Sequence, residues 1–350
     1  MRIAVTGATG LIGSRLVAAL RARGDDVTVL SRDPERASER LERSTRASRA
    51  LSDPTRTFAN PTGTIDDSPG ALDDSAGTRD SPSTGDSPGT LDAKHWDPSR
   101  EPAPAEALAG RDAIVHLAGE NIAQRWSASA KQTIRESRIA GTRHLVAGLD
   151  ALAGDEQPQV LLSGSAIGYY GSHGDEPIDE EAPAGGGFLA ETCRAWEVEA
   201  EAAERCGLRV VRLRTGVVLD RDGGALAKML PPFKLGVGGP VAGGLQYIAW
   251  IHPKDLVQIV LAAIDDERWQ GPINATAPEP QRNRDFAKAL GRALHRPALL
   301  PVPGAALELL YGEMSEIVTS GARVLPAKAL VLGYQFRYPQ LDSALRAALG

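Results

Sequence analysis

Gly7, Gly10 and Gly13 recur at intervals of three in Val5-Thr6-Gly7-Ala8-Thr9-Gly10-Leu11-Ile12-Gly13, a spacing suited to holding phosphate groups. Glycine lets a backbone turn tightly and approach a ligand closely. A helix beginning in such a turn offers unpaired N–H groups and the positive end of its dipole to an anion. Thr9, Gly10, Leu11 and Ile12 are the residues whose amides would face a pyrophosphate, with Gly7 and Gly13 shaping the turn. Some twenty residues on, where an acidic residue would favour the ribose 2′-hydroxyl of NAD, the chain has Ser31 and Arg32. A hydroxyl beside a guanidinium fork suits a 2′-phosphate and so favours NADP(H). The alternative is that Arg32 is solvated and Asp33 does the acidic job one position later.

The flanking sequence supplies the elements such a site needs. Arg2-Ile3-Ala4-Val5 reads as a strand, and Ser14 to Arg23 has apolar residues at helical spacing and ends at Gly24. Asp26 to Arg32, Ala113 to Gly119, Gln159 to Ser163 and Leu208 to Arg214 read as further strands. Helices are expected from about Ser129 to Leu149 and from Phe188 to Arg205. Strands alternating with helices of this length predict an α/β fold with a doubly wound parallel sheet and right-handed crossovers. From Gly216 the texture changes to Gly- and Pro-rich sequence. The organisation expected is a nucleotide-binding core over 1–43 and 93–295, containing a substrate-side loop at 216–247, and a smaller C-terminal domain over 296–350. Residues 44–92 are dominated by Ser, Thr, Asp, Pro, Gly and Ala and carry near-repeats such as Asp67-Ser68-Pro69-Gly70 and Asp86-Ser87-Pro88-Gly89. This composition reads as a disordered surface insertion.

Bulk properties narrow the class. The 350 residues are 42% hydrophobic, enough for a substantial core, and the net charge of −6 argues against a general nucleic-acid binder. No apolar run approaches the roughly 20 residues that span a bilayer, and no secretory leader is legible ahead of the first strand. Cys193 and Cys206 fall too far apart on one predicted helix to bridge, as expected of reduced thiols in a cytoplasmic protein. Six scattered His and two Cys give no metal-ligand spacing.

In this order the motifs resemble the extended short-chain dehydrogenase/reductase superfamily, and within it the atypical subgroup of epimerase family proteins. The resemblance rests on His116-Leu117-Ala118-Gly119-Glu120-Asn121-Ile122, Ser137-Arg138-Ile139-Ala140-Gly141-Thr142 and Gly216-Val217-Val218-Leu219. It rests equally on Lys228 to Gly236, Ala249-Trp250-Ile251-His252-Pro253-Lys254-Asp255-Leu256 and Leu332 to Tyr338. It implies a Rossmann core of the extended type, a small C-terminal substrate-side domain, and Leu117, Ala118 and Gly119 along the dinucleotide. Arg138 replaces the Asn usual at its place, as a charge near the cofactor or as an exposed helix charge. Related folds often dimerise through two helices of each subunit, which makes a homodimer compatible with the chain.

The resemblance also implies oxidoreductase or epimerase chemistry on a small molecule, and there the pattern breaks. The superfamily uses a Tyr and, four positions later, a Lys on one helix, with a Ser at the preceding strand end. Ser165 in Ser163-Gly164-Ser165-Ala166 is the expected equivalent of that Ser, the residue to orient a substrate. The helix that should carry the pair reads Phe188-Leu189-Ala190-Glu191-Thr192-Cys193-Arg194, with Ala190 and Arg194 at the expected spacing. Substitutes for the missing acid are Tyr169 or Tyr170, beside the expected nicotinamide end, and Glu191 or Cys193 on the helix that should carry it, but the structural reading is preferred for each; Trp196 reads as core, and His252 and Asp255 as a turn and helix cap. The Gly223 to Gly244 segment, carrying Lys228 and Lys234 and followed by Gln246, reads as a lid or as a rigid loop. The rival to an enzyme is a non-catalytic NADP(H)-binding sensor or scaffold.

Overall fold

The computed structural model describes residues 1–52 and 88–350, with backbone alone over 45–52 and 310–311. Seven strands form one sheet: β1 (Arg2–Thr6), β2 (Asp26–Ser31), β3 (Leu91–His95), β4 (Ala113–His116), β5 (Val160–Ala166), β6 (Arg209–Thr215) and β7 (Gly271–Ala275). Their order is β3-β2-β1-β4-β5-β6-β7 and every pairing is parallel. The order reverses between β1 and β4, which opens a crevice at the carboxyl ends of those strands.

Alternation along each strand builds two cores. Ile3, Val5, Val27, Val29, Val115 and Leu162 pack on one face with α1 (Leu11–Ala22), α2 (Pro34–Ser52) and, further along the chain, Leu256, Val260 and Ile264. Ala4, Leu30, Ile114 and Leu161 point to the other face, against Leu145 and Leu149 of α3 (Ala128–Asp150) and Ala200 of α4 (Phe188–Glu201). Each fully buried Leu, Ile or Val contributes about 1.5–3 kcal/mol, so the two faces fix the register of the sheet.

Three boundaries differ from the sequence reading. The expected insertion begins and ends inside ordered structure: α2 continues to Ser52, and Leu91–His95 forms the edge strand β3. Re-entry is fastened by Asp26, whose Oδ1 accepts from the Thr90 amide at 2.9 Å and its hydroxyl at 2.6 Å. The expectation of disorder over residues 53–87 lies outside the described residues. The third difference is α5 (Gly224–Lys234), a helix where Pro231 and Pro232 suggested a loop. Leu226, Leu230 and Phe233 are buried at helical spacing, about 1.5–3 kcal/mol each, and that burial offsets the roughly 3 kcal/mol that each of the two interior prolines costs.

Next come α6 (Pro253–Asp265) and α7 (Asn283–Leu294), followed by α8 (Leu341–Leu349) beyond the short helices of the C-terminal region. A third core joins Leu219, Leu226, Trp250, Phe286 and Leu290 to Leu341, Ala344 and Leu345 of α8. The C-terminal region therefore shares its interior with α5 and α7. Among the described residues no helix is long and apolar enough to cross a membrane.

Candidate functional site

The β1–α1 turn is built by close backbone approach. Gly7 has φ +68, and a Cβ there would lie 2.6 Å from the Leu117 carbonyl and 2.7 Å from the Ala118 nitrogen. At Gly13 a Cβ would lie 2.3 Å from the Gly7 oxygen, so helix and turn touch without a side chain between them. The Gly10 amide closes the turn on Gly7 O at 3.0 Å. Gly10 is also the N-cap of α1 and supplies no side-chain acceptor, which leaves the first helical amides, Leu11 and Ile12 among them, without an intrahelical partner. Thr9 is half-buried beside them, and the Leu11 side chain packs against Gly223 at the start of α5.

The neighbouring strand end is locked by His116. Its Nδ1 lies 2.7 Å from Thr6 Oγ1 and its Nε2 3.1 Å from Thr142 Oγ1. Burial pushes this imidazole down to about 4, so it is neutral and makes one bond as donor and one as acceptor. The lock joins β1, β4 and α3 and sets Leu117, Ala118 and Gly119 along the crevice. Arg138 donates to Glu120 O at 2.9 Å and Ile134 O at 3.0 Å, 5.3 Å from the Trp196 ring. Burial lowers its pKa. Its reading as an exposed helix charge is thus corrected: Arg138 is half-buried and straps the Gly119–Glu120 loop to α3.

At the end of β2 the alternatives separate. Asp33 Oδ1 accepts from the Arg36 amide at 3.0 Å, capping α2, and the Asp33 amide donates to Ser31 Oγ at 3.2 Å. Arg32 is exposed and makes no hydrogen bond or ion pair with a described residue. The carboxylate is held by the helix, whereas the exposed guanidinium has only the longer-range attraction of Asp97.

Ser165 is 6% exposed and donates to Glu197 Oε1 at 2.6 Å. Arg214 grips the same carboxylate through two bonds of 2.8 Å, and also donates to Tyr170 Oη at 2.8 Å. Tyr170 in turn donates to Asn274 Oδ1 at 2.7 Å. The Arg214 guanidinium lies 3.5 Å from the centre of the Tyr169 ring. In this arrangement the Ser165 proton is directed inward, onto Glu197. Glu197 and Arg214 were missed from sequence, although three arginines in one buried strand, Arg209, Arg212 and Arg214, signal an internal anion.

Several of the remaining candidates make contacts within the fold. Ala190 is buried and Arg194 exposed. Burial pushes the Cys193 thiol up to about 11, keeping it protonated. His252 caps α6, accepting from the Lys254 amide at 3.1 Å. Asp255 accepts from the Arg337 and Tyr338 amides at 2.7 and 3.0 Å. Lys228 donates to Ala123 O at 2.6 Å and Gln246 to Val318 O at 2.7 Å, tying down the segment read as a lid. Among the described residues no group of three or more His, Cys, Asp or Glu could hold a metal ion.

A seven-stranded parallel sheet with a glycine turn at its switch point defines a Rossmann-type protein. Residues 3–275 match the family model described as the NAD dependent epimerase/dehydratase family, and residues 302–348 match a domain of unknown function, DUF1731. The chain belongs to the NAD dependent epimerase/dehydratase family. It is similar to the chloroplastic epimerase family protein SDR39U1 homolog of Arabidopsis thaliana, at 37% identity over 100% of this chain and 87% of the relative. Identity to epimerase family protein SDR39U1 of Bos taurus is 32%, over 100% of both chains. The crystal structure of human epimerase family protein SDR39U1 (isoform 2) with NADPH matches with a TM-score of 0.76 at 29% identity, covering 100% of both chains. A UDP-galactose 4-epimerase matches with a TM-score of 0.64 at 19% identity, a likeness of fold alone.

Proposed function

We propose that the chain binds NADP(H) across the β1–α1 turn and acts as an atypical oxidoreductase or epimerase-like enzyme on a small molecule. The observation that carries the cofactor is the cradle at Gly7, Gly10 and Gly13, too tight for any Cβ at Gly7 or Gly13 and open at the first amides of α1. Those amides would take the pyrophosphate, Leu117, Ala118 and Gly119 the adjoining stretch, and Ser31 with the unpaired Arg32 the 2′-phosphate. The NADPH held by the human relative supports the same reading. When bound, this cofactor supplies or accepts a hydride.

The chain's own part is to bind, orient and exchange a proton. Tyr169 is half-buried in the 3-10 turn Ile167–Tyr170 that follows β5, and its hydroxyl has no hydrogen-bond partner among the described residues. We assign proton exchange to Tyr169 Oη. Ser165 then acts as a positioning residue: it holds Glu197, Glu197 holds Arg214, and Arg214 lies against the Tyr169 ring. A second reading, a non-catalytic NADP(H) sensor, is favoured by the absence of Tyr and Lys at Ala190 and Arg194.

Titration with NADPH and NADH, on the parent and on Arg32→Ala, tests the cofactor. The parent is expected to prefer NADPH, and loss of a charged contact to phosphate should weaken NADPH binding at least about tenfold. Equal affinity for both nucleotides would remove the NADP(H) assignment. Oxidation of NADPH with a panel of aldehydes and sugar nucleotides, lost in Tyr169→Phe, would support the enzyme. Tight NADPH binding without turnover of any substrate would leave the sensor.

A further inference from the structure

We propose that a second cavity, separate from the dinucleotide turn, binds a small phosphate-bearing molecule between α1, the start of α6 and the C-terminal region. The cavity measures about 590 Å3, within the size of small-molecule sites, and none of residues 7–13 lines it. Arg15, Ala18 and Ala19 of α1 form one wall and Tyr334 and Arg337 another. His252 and Lys254 form the floor.

Three observations point to an anion. His252 is 4% exposed, and its Nδ1 accepts from the Lys254 amide, so the neutral ring carries its proton on Nε2. That N–H has no partner among the described residues. The ring is held in place by stacking on Tyr338, with centroids 3.9 Å apart. Asp220 is held by Arg15 and by the Asp222 amide, and Asp255 by two backbone amides and the Tyr334 hydroxyl. Both buried carboxylates are satisfied within the wall. The exposed Lys254 ammonium and Arg337 guanidinium make no hydrogen bond or ion pair with a described residue, and of the lining carboxylates Asp222 and the terminal one of Gly350 stay open to solvent.

Burial first, then Lys254 and Arg15, hold His252 down at about 4 against the opposing pull of Asp220, so the ring stays neutral and keeps its Nε2–H as a donor. An unpartnered N–H beside two cations without partners is a setting in which a dianionic phosphate gains charge-assisted hydrogen bonds.

Calorimetric titration of the full chain with inorganic phosphate tests this, with acetate as the second probe, on the parent and on Lys254→Ala/Arg337→Ala. Both positions are exposed, so an unchanged melting temperature confirms that the variant is folded. Saturable phosphate binding that weakens at least about tenfold in the variant is expected. Phosphate captured at the β1–α1 turn would be unaffected by these substitutions. No saturable binding, binding equal in the variant, or acetate binding as tightly as phosphate would each overturn the proposal.

Discussion

Gly13→Ala sets two effects of opposite sign against each other. Gly13 lies in the first turn of α1, and helix propensity alone favours Ala over Gly by about 1 kcal/mol. The new Cβ would sit 2.3 Å from the Gly7 oxygen and 2.7 Å from Ala8 Cα, both backbone atoms with no rotamer to yield. Overpacking of this kind costs about 1–3 kcal/mol, and here the turn itself must also move. The net expectation is a loss of about 1–2 kcal/mol, or roughly 2–8 °C in melting temperature. Gly10→Ala is the companion. Its backbone, at φ −73 and ψ 177, is open to any residue, and its nearest non-local atom is Gly7 O at 3.2 Å. It should keep stability within about 1 kcal/mol while losing NADPH affinity at least about tenfold, since the methyl group intrudes on the pyrophosphate. Thermal melts with and without NADPH read both quantities. A stabilised Gly13→Ala, or a Gly10→Ala with parental affinity, would refute the reasoning.

Three further outcomes are expected. Arg214→Met leaves Glu197 buried without its bidentate partner and should cost about 3–5 kcal/mol in urea unfolding, with Glu197→Met/Arg214→Met recovering part of it; additive losses would contradict the pairing. His116 and His252 both fall to about 4 on folding, against about 6.5 when unfolded. Between those values the unfolded state binds more protons, so their contribution is complete above pH ~6.5 and declines as pH drops, by up to about 1.4 kcal/mol per pH unit for each ring. His116→Asn should flatten the slope of stability between neutral and mildly acidic pH, and an unchanged slope counts against a neutral buried ring. Iodoacetamide should alkylate half-buried Cys206 in the folded chain and reach Cys193, 5% exposed and raised to about 11, only after denaturation; peptide mass spectrometry decides.

The elements that were legible are those whose residues answer one demand. Val27, Val29, Ile114 and Val115 belong to strands buried on both faces, and their apolar runs are visible without a structure. Leu91-Asp92-Ala93-Lys94-His95 lacks such a run because β3 is an edge strand with only one paired side, and it emerges directly from low-complexity sequence. α5 was hidden by a conflict between local and tertiary terms, two prolines against three buried apolar side chains. The glycine turn was legible as a junction between strand and helix because backbone geometry leaves few residue choices. The Ser165–Glu197–Arg214 network was not read, since its partners stand on three different elements and no spacing along the chain brings them together.

The third core has a consequence for the order in which the protein can be made. The sheet is complete once β7 has emerged at Ala275, whereas Trp250 and Phe286 wait for Leu341 and Leu345 of α8. The sheet half can therefore settle while the polypeptide is still being synthesised, but the half built on the third core closes only after α8 leaves the ribosome. A chain interrupted before α8 would carry a formed sheet beside an exposed apolar face, marked for chaperones and proteases.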